Sequence, residues 1–364
     1  MCMIGLNLIR SRVMKKIASA LLLSSAILLF SCGEKQVAKE NTLSPQAAFD
    51  SLITYIERSG DIINGPDIPA MISAPELYQL LDSSIYIIDT RSSEEFANAH
   101  IPGSVNVPFT QLLNYFENKI EPNSFKDIVL VCNAGQTASY ATSILRLLGY
   151  NNVYALKWGF SSWHKETAEK RWIPRISNKY TELLERSSNI KYGPREFPAI
   201  QTHERYGYTI LRERALMLFS QGFNTITVNP DTLFYPNNNF YIINYWPTEL
   251  YNIGHIPGAI QYQPKSSLKR KNHLNTLPTD KPIVVYCYTG QHGGFVTAYL
   301  RLLGYDAYTL TYGANGFMHD IMIKENLENT FSTKYIFDLP VTSGGALAQP
   351  KDMEVVATQP RGGC

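Results

Sequence analysis

The chain carries one pattern twice, in a single register. His100-Ile101-Pro102-Gly103 returns as His255-Ile256-Pro257-Gly258, Cys132 returns as Cys287, and Leu147-Leu148-Gly149-Tyr150 returns as Leu302-Leu303-Gly304-Tyr305, each 155 positions later. Pro75 and Pro230 keep the same offset. A register held without a gap from about 72 to 150 means a duplicated folding unit. The 364 residues leave room for two such units, since a domain usually takes about 100–200 residues. A hydrophobic content of 45% with 18% charged residues is that of a globular protein. The formal net charge of +2 gives no electrostatic footprint for nucleic acid, which is not expected as a partner. The short basic run Lys269-Arg270-Lys271 reads as a solvated loop.

Within each unit, short apolar runs alternate with helical periodicity. The first has strand-like runs at 85–88, 128–131 and 153–156, and a helix over 138–148 that is apolar at Ala141, Ile144, Leu145 and Leu148 and stopped by Gly149. The second repeats this with runs at 241–243, 283–286 and 307–310 and a helix ending at Leu303. Continuous apolar strands alternating with helices predict an α/β fold with a parallel sheet covered on both faces. The expected organisation is a leader over 1–31, a tether over 32–65, domains over 66–175 and 223–332, a linker over 176–222 with a helix at 215–219, and a flexible tail over 333–364.

The five cysteines are Cys2, Cys32, Cys132, Cys287 and Cys364. No C-x-x-C pair and no histidine at ligand spacing accompanies them, so neither a metal nor an organic cofactor is expected. A chain with room for a large core has no need of a disulfide framework. Cys132 and Cys287 both sit at the carboxyl end of a buried strand, where open α/β sheets place their ligand sites. Each opens a short loop before a helix: Cys132-Asn133-Ala134-Gly135-Gln136-Thr137 and Cys287-Tyr288-Thr289-Gly290-Gln291-His292. Such a loop can turn successive backbone N–H groups toward the sulfur, and the following helix adds the positive end of its dipole. Both effects favour thiolate over thiol and stabilise an anionic persulfide. Gly at the fourth position permits the tight turn.

These segments resemble the rhodanese family. The resemblance rests on His-Ile-Pro-Gly-[Ser/Ala], on Asp89-Thr90-Arg91 before it, on Cys-x-x-Gly after it, and on the closing turns Trp158-Gly159 and Tyr312-Gly313. It covers nearly all of both repeats and implies two domains, each a five-stranded parallel sheet flanked by helices. It also implies a sulfurtransferase in which a loop cysteine takes a sulfane sulfur from a donor, holds it as a persulfide and passes it to an acceptor. Carried over, Cys132 is the first candidate for that role and Cys287 the second, with residues 133–137 and 288–292 as anion-binding loops.

The departures from the family pattern are specific. Asp89 and Arg91 become Asn244 and Trp246 in the second copy, which removes a supporting ion pair. Arg91 is expected to pair with Asp89, Glu94 or Glu95 as scaffold, and His100 and His255 to fix the turn before proline rather than act as bases. Thr137 and His292 stand where an arginine often ends the loop, and Asn133 and Tyr288 bring no charge. A dianion such as thiosulfate gains little side-chain help, so a persulfide or polysulfide donor fits at least as well, with a thiol, possibly a protein's, as acceptor. The rival reading is a non-catalytic tandem module that binds a partner or senses sulfur species. A cysteine phosphatase would need a longer loop closed by an arginine clamp, which neither loop has.

The termini carry readings of their own. Lys15-Lys16 followed by the apolar run 17–30 fits a signal peptide rather than a membrane span. Leu29-Phe30-Ser31-Cys32-Gly33 resembles a bacterial lipobox, which implies lipid on Cys32 and a protein anchored to a membrane in the cell envelope; the simpler reading is a signal peptide with an incidental cysteine. At the other end, Cys364 closes a Gly-Pro-rich stretch and resembles the carrier ends of some sulfur-oxidation proteins. A swinging sulfur carrier and an incidental terminal thiol are the two readings of it.

Overall fold

Each repeat turns its apolar runs into one parallel sheet. The computed structural model describes residues 42–81 and 84–344. The first repeat runs α1 (Pro45–Arg58), β1 (Met71–Ile72), α2 (Ala74–Gln79), β2 (Ile85–Asp89), α3 (Ser93–Asn98), β3 (Val105–Asn106), α4 (Leu112–Asn118), β4 (Asp127–Val131), α5 (Gln136–Leu147), β5 (Val153–Leu156), α6 (Phe160–Trp163) and α7 (Lys165–Arg171). A crossing helix, α8 (Gly207–Gln221), leads into the second. There the order is β6 (Thr227–Val228), α9 (Pro230–Phe234), β7 (Tyr241–Asn244), α10 (Thr248–Tyr251), β8 (Ile260–Gln261), β9 (Ile283–Tyr286), α11 (Gln291–Leu302), β10 (Ala307–Leu310) and α12 (His319–Lys324). The sheets are five-stranded, ordered β1-β5-β4-β2-β3 and β6-β10-β9-β7-β8. All pairings are parallel. The expected fold class is the observed one, and every predicted strand is present within a residue or so. The two-residue strands at the sheet edges are too short to carry a periodic signal.

Three stretches differ from expectation. The tether foreseen over 32–65 gives way at Ser44, whose side chain accepts from the Ala47 amide and caps α1. That helix buries Ala48, Phe49, Leu52, Ile53 and Ile56, a stripe with helical spacing, and packs on α8. The linker helix foreseen at 215–219 occupies Gly207–Gln221, because Ile210 and Leu211 extend its buried face. The tail foreseen from 333 is tied down to at least Gly344: the Phe337 and Leu339 amides donate to Ser162 O and Trp163 O, and His100 and Thr342 exchange both backbone bonds at 2.9 Å. The Trp163 indole completes this strap with a 2.8 Å bond to Pro340 O. The leader, Cys32 and Cys364 lie outside the described residues.

The repeats share one core, and the second keeps a further apolar cluster of its own around Trp246, Tyr286 and Phe317. Helix α5 packs on α11, with Ser143 Oγ donating to Phe295 O (2.9 Å) across the seam. One continuous apolar cluster takes in Ile128, Val129 and Leu145 of the first repeat and Ile283, Phe295 and Tyr299 of the second. The chain after each repeat then crosses to the other. Ser177 N donates to Asn315 O, and Glu185 pairs with His255 as Thr342 pairs with His100.

Ending the chain after Ile336 removes the five bonds of the strap and should therefore lower unfolding stability by about 2–3 kcal/mol, at roughly 0.5 kcal/mol for each bond on a mostly exposed strap. Chemical denaturation followed by tryptophan fluorescence would measure it. Equal midpoints for the full and shortened chains would mean that the strap holds nothing.

Candidate functional site

The loop after β4 is built from main chain. Gly135 takes the left-handed conformation (φ +83°) that turns the chain into α5. Its N–H points at Cys132 Sγ (3.1 Å), as does that of Ala138 (3.3 Å). The carbonyls of the same loop are held from behind. Phe160 N donates to Cys132 O (2.7 Å) and Ser161 N to Asn133 O (3.1 Å), while the Trp172 indole donates to Ala134 O (3.2 Å). Gly159 sits so close that a Cβ there would lie 2.4 Å from both Cys132 O and Gly135 N. The donors around the sulfur are thus fixed before any ligand arrives.

The sulfur faces a cleft of about 650 Å³. Its walls come from the first repeat (Thr90, Arg91, Glu95, Thr137), from the end of the crossing segment (Phe223, Asn224, Thr225) and from the second repeat (Thr311, Tyr312). Cys132 itself is only 5% exposed. Burial pushes its thiol above the ordinary range, against the pull of the Ala138, Ala134, Gly135 and Thr137 amides. The expected amide cradle is present, but the expected low thiol pKa is reversed in the resting protein, because the same loop removes the sulfur from water.

Asp89 and Arg91 form the supporting pair. Arg91 Nε lies 3.0 Å from both Asp89 oxygens, Nη2 is 2.6 Å from Oδ2 and 2.7 Å from Ala99 O, and the guanidinium lies on the Phe160 ring. His100 and His255 behave alike: Nδ1 meets Phe96 O (2.7 Å) or Tyr251 O (3.0 Å), and each ring stacks on that same residue. They hold turns, as expected. Sequence reasoning missed a second polar group at the rim. Glu95 Oε1 accepts from Asn133 Nδ2 (2.9 Å) and Arg171 Nη2 (2.7 Å). Burial raises the Glu95 carboxyl, but Arg171, Asn133 and the Ser92 amide outweigh it and hold the group below its ordinary range. Arg171 lies beyond both motifs, and only the fold brings it back to the loop.

The second loop has the same backbone and a different filling. Cys287 Sγ accepts from the Gly293 amide (3.2 Å) and lies 3.9 Å from Thr289 Oγ1. Trp246, in the place of Arg91, is fully buried and stacks on Tyr288 at 4.8 Å. The Tyr286 hydroxyl accepts from Asn244 Nδ2 (2.8 Å) and Ile256 N (3.3 Å), so a phenol stands where the first repeat has its ion pair. His292 packs edge-on to Tyr245. Burial, with Lys265 nearby, drives its imidazole down to about 3, so it is neutral at physiological pH. Gln136 and Gln291 each turn away from their own sulfur toward the other repeat. Among the described residues no group of acidic, histidine and cysteine side chains could hold a metal ion, and no helix is long and apolar enough to cross a membrane.

Comparison with known proteins places both repeats. The family model for the rhodanese-like domain matches residues 73–166 and again 237–320. A thiosulfate sulfurtransferase of Shewanella oneidensis is 31% identical over 98 residues, 27% of this chain and 94% of the relative. An adenylyltransferase and sulfurtransferase of Meyerozyma guilliermondii is 31% identical over 102 residues, but those are 26% of this chain and only 24% of that protein. Among solved structures, a human single-domain sulfurtransferase is 28% identical and covers 28% of this chain and 97% of its own, with a TM-score of 0.24. The open cradle at Cys132, its filled counterpart at Cys287 and the doubled family match lead to one assignment: the chain belongs to the rhodanese-like domain family and contains that domain twice.

Proposed function

We propose that this protein is a sulfurtransferase that carries a sulfane sulfur on Cys132. One observation supports the reading above all: a cysteine whose sulfur already accepts two backbone N–H bonds stands at the floor of an open cleft. In the first step the Cys132 thiolate attacks the outer sulfur of the donor. The new Sγ–S bond forms as the donor's S–S bond breaks, and the donor leaves with its electron pair as a thiolate, or as sulfite if it is thiosulfate. In the second step an acceptor thiolate attacks the outer sulfur and Cys132 departs as thiolate. The intermediate carries its charge about 2 Å beyond Sγ, toward the cleft. Both arginines of the cleft wall are engaged, Arg91 with Asp89 and Arg171 with Glu95. Neither is left to meet a dianion, which favours a persulfide or polysulfide donor over thiosulfate.

The second repeat supports the rival, non-catalytic reading for its own half only. Trp246 and Tyr288 stack beside Cys287, where Cys132 lines a cleft, and the role of Cys287 in the proposal is structural. The lipobox-like run ending at Cys32 supports an envelope protein held by lipid, and Cys364 stays a candidate carrier of the product sulfur.

Intact-mass measurement after incubation with polysulfide should show a gain of one sulfur atom. Cys132→Ala should abolish the gain and Cys287→Ala should retain it; a gain that survives in Cys132→Ala would assign the sulfur elsewhere. Because the Cys132 thiol is raised, its alkylation should climb with pH and reach half its plateau above about pH 8.5, the ordinary thiol value. A plateau already reached at neutral pH would contradict the buried resting thiol. Metabolic labelling with a fatty acid should mark the protein and fail in Cys32→Ala, whereas equal labelling of both would remove the anchor.

A further inference from the structure

The two cysteine loops are locked to each other by a reciprocal pair of buried glutamines. Gln291 opens α11, the helix that follows the Cys287 loop, yet its Oε1 accepts from the Trp158 amide of the first repeat's closing turn (3.2 Å). Its Nε2 donates to Met71 Sδ at 3.4 Å. Its carboxamide also lies directly on Gly135: a Cβ built there would sit 2.2 Å from Nε2 and 2.8 Å from Cδ. Gln136 does the same in the other direction, accepting from the Tyr312 amide (3.1 Å) and closing over Gly290.

What Gln291 touches is the pair of elements that aims donors at Cys132. Gly135 gives its N–H to the sulfur. Trp158, in the left-handed region at φ +66°, precedes Gly159, which is pressed against the Cys132 carbonyl. A non-glycine residue there costs free energy and needs an outside hold. Gln291 supplies it without lining the cleft and without touching the reacting sulfur.

We propose that Gln291 of the second repeat is the positioning residue for the Cys132 cradle, so that the closed repeat completes the active site of the open one. The inference rests on the sulfur-transfer reading for its functional meaning, but its geometry can be tested without it. The charged and ionisable groups facing the thiol across the cleft are Tyr312, Glu95, Arg91 and Arg171, and the test leaves all four in place.

In the full chain, Gln291→Met keeps the volume and removes the acceptor. With the Gly135 donor misaimed, the variant should alkylate and load sulfur at Cys132 about tenfold more slowly at a fixed pH, less than the roughly 10²–10³ that removing such a donor outright costs, because the N–H is displaced and not lost. The alkylation profile should move up by about one pH unit, while the KM for polysulfide stays that of the parent, because Gln291 does not line the cleft. A purely structural role would lower the melting midpoint and leave profile and kcat alone, which would overturn the proposal. If Gln291→Met does not fold, Met71→Leu loosens only the amide end and should shift the profile the same way by less; a folded Met71→Leu with the parent profile overturns the proposal too. A shifted profile in a protein that never takes up sulfur would keep the clamp and reject the transferase.

Discussion

The packing of α5 against α11 is the constraint from which the rest of the molecule follows. Each helix begins at a cysteine loop, so the surface that joins the repeats also fixes both loops. Small side chains such as Ala138 and Ser139 let the axes approach, and Gly294 lies close enough that a Cβ would meet Gln136 O at 3.2 Å. Most buried polar groups in folded proteins are hydrogen-bonded. The two glutamine carbonyls at this seam accept from the closing-turn amides of the opposite repeat. Sheet, seam and cradle form one packed unit, and the cleft is the part of it left open.

On this symmetric frame the repeats have diverged by filling. The first keeps a bidentate ion pair at Asp89 and Arg91; the second has Asn244, Trp246 and the Tyr286 hydroxyl in that volume. Replacing a buried ion pair by packed side chains is often neutral or stabilising, so the second repeat could lose its charges without losing its fold. What it lost was space. Tyr288 stacks on Trp246, while Asn133 in the corresponding position turns to Glu95 at the wall of the cleft that Cys132 lines.

The sequence made the fold legible because duplication printed every signal twice, and the strands and post-loop helices lie where the apolar runs put them. The cradle was legible for a related reason: a cysteine followed by Gly135 at a strand-to-helix turn leaves the backbone few ways to go. Other features were hidden by the locality of sequence patterns. Phe49 and Leu52 lie in a stretch that reads as tether, because a short apolar stripe does not show the partner it covers. Arg171 and Glu95 stand 76 positions apart and form their bond only once the fold is made. The thiol's direction of titration was misread because a loop that donates hydrogen bonds to sulfur also excludes water from it, and the sequence does not show which effect is larger. The outward turn of Gln136 and Gln291 is a property of the seam alone.

Because each repeat is edged by a segment that the other sends across, neither is a self-sufficient part. Cutting the chain between Glu185 and α8 would leave the first half with the strand-like segment that belongs beside His255, and the second half with the one that belongs beside His100. A protein made of one such unit would have to close that edge with its own chain or exchange the segment with a twin, as swapped dimers do. In the duplicated chain such an exchange is internal and independent of concentration. The second unit therefore supports the first whether or not its own loop is open.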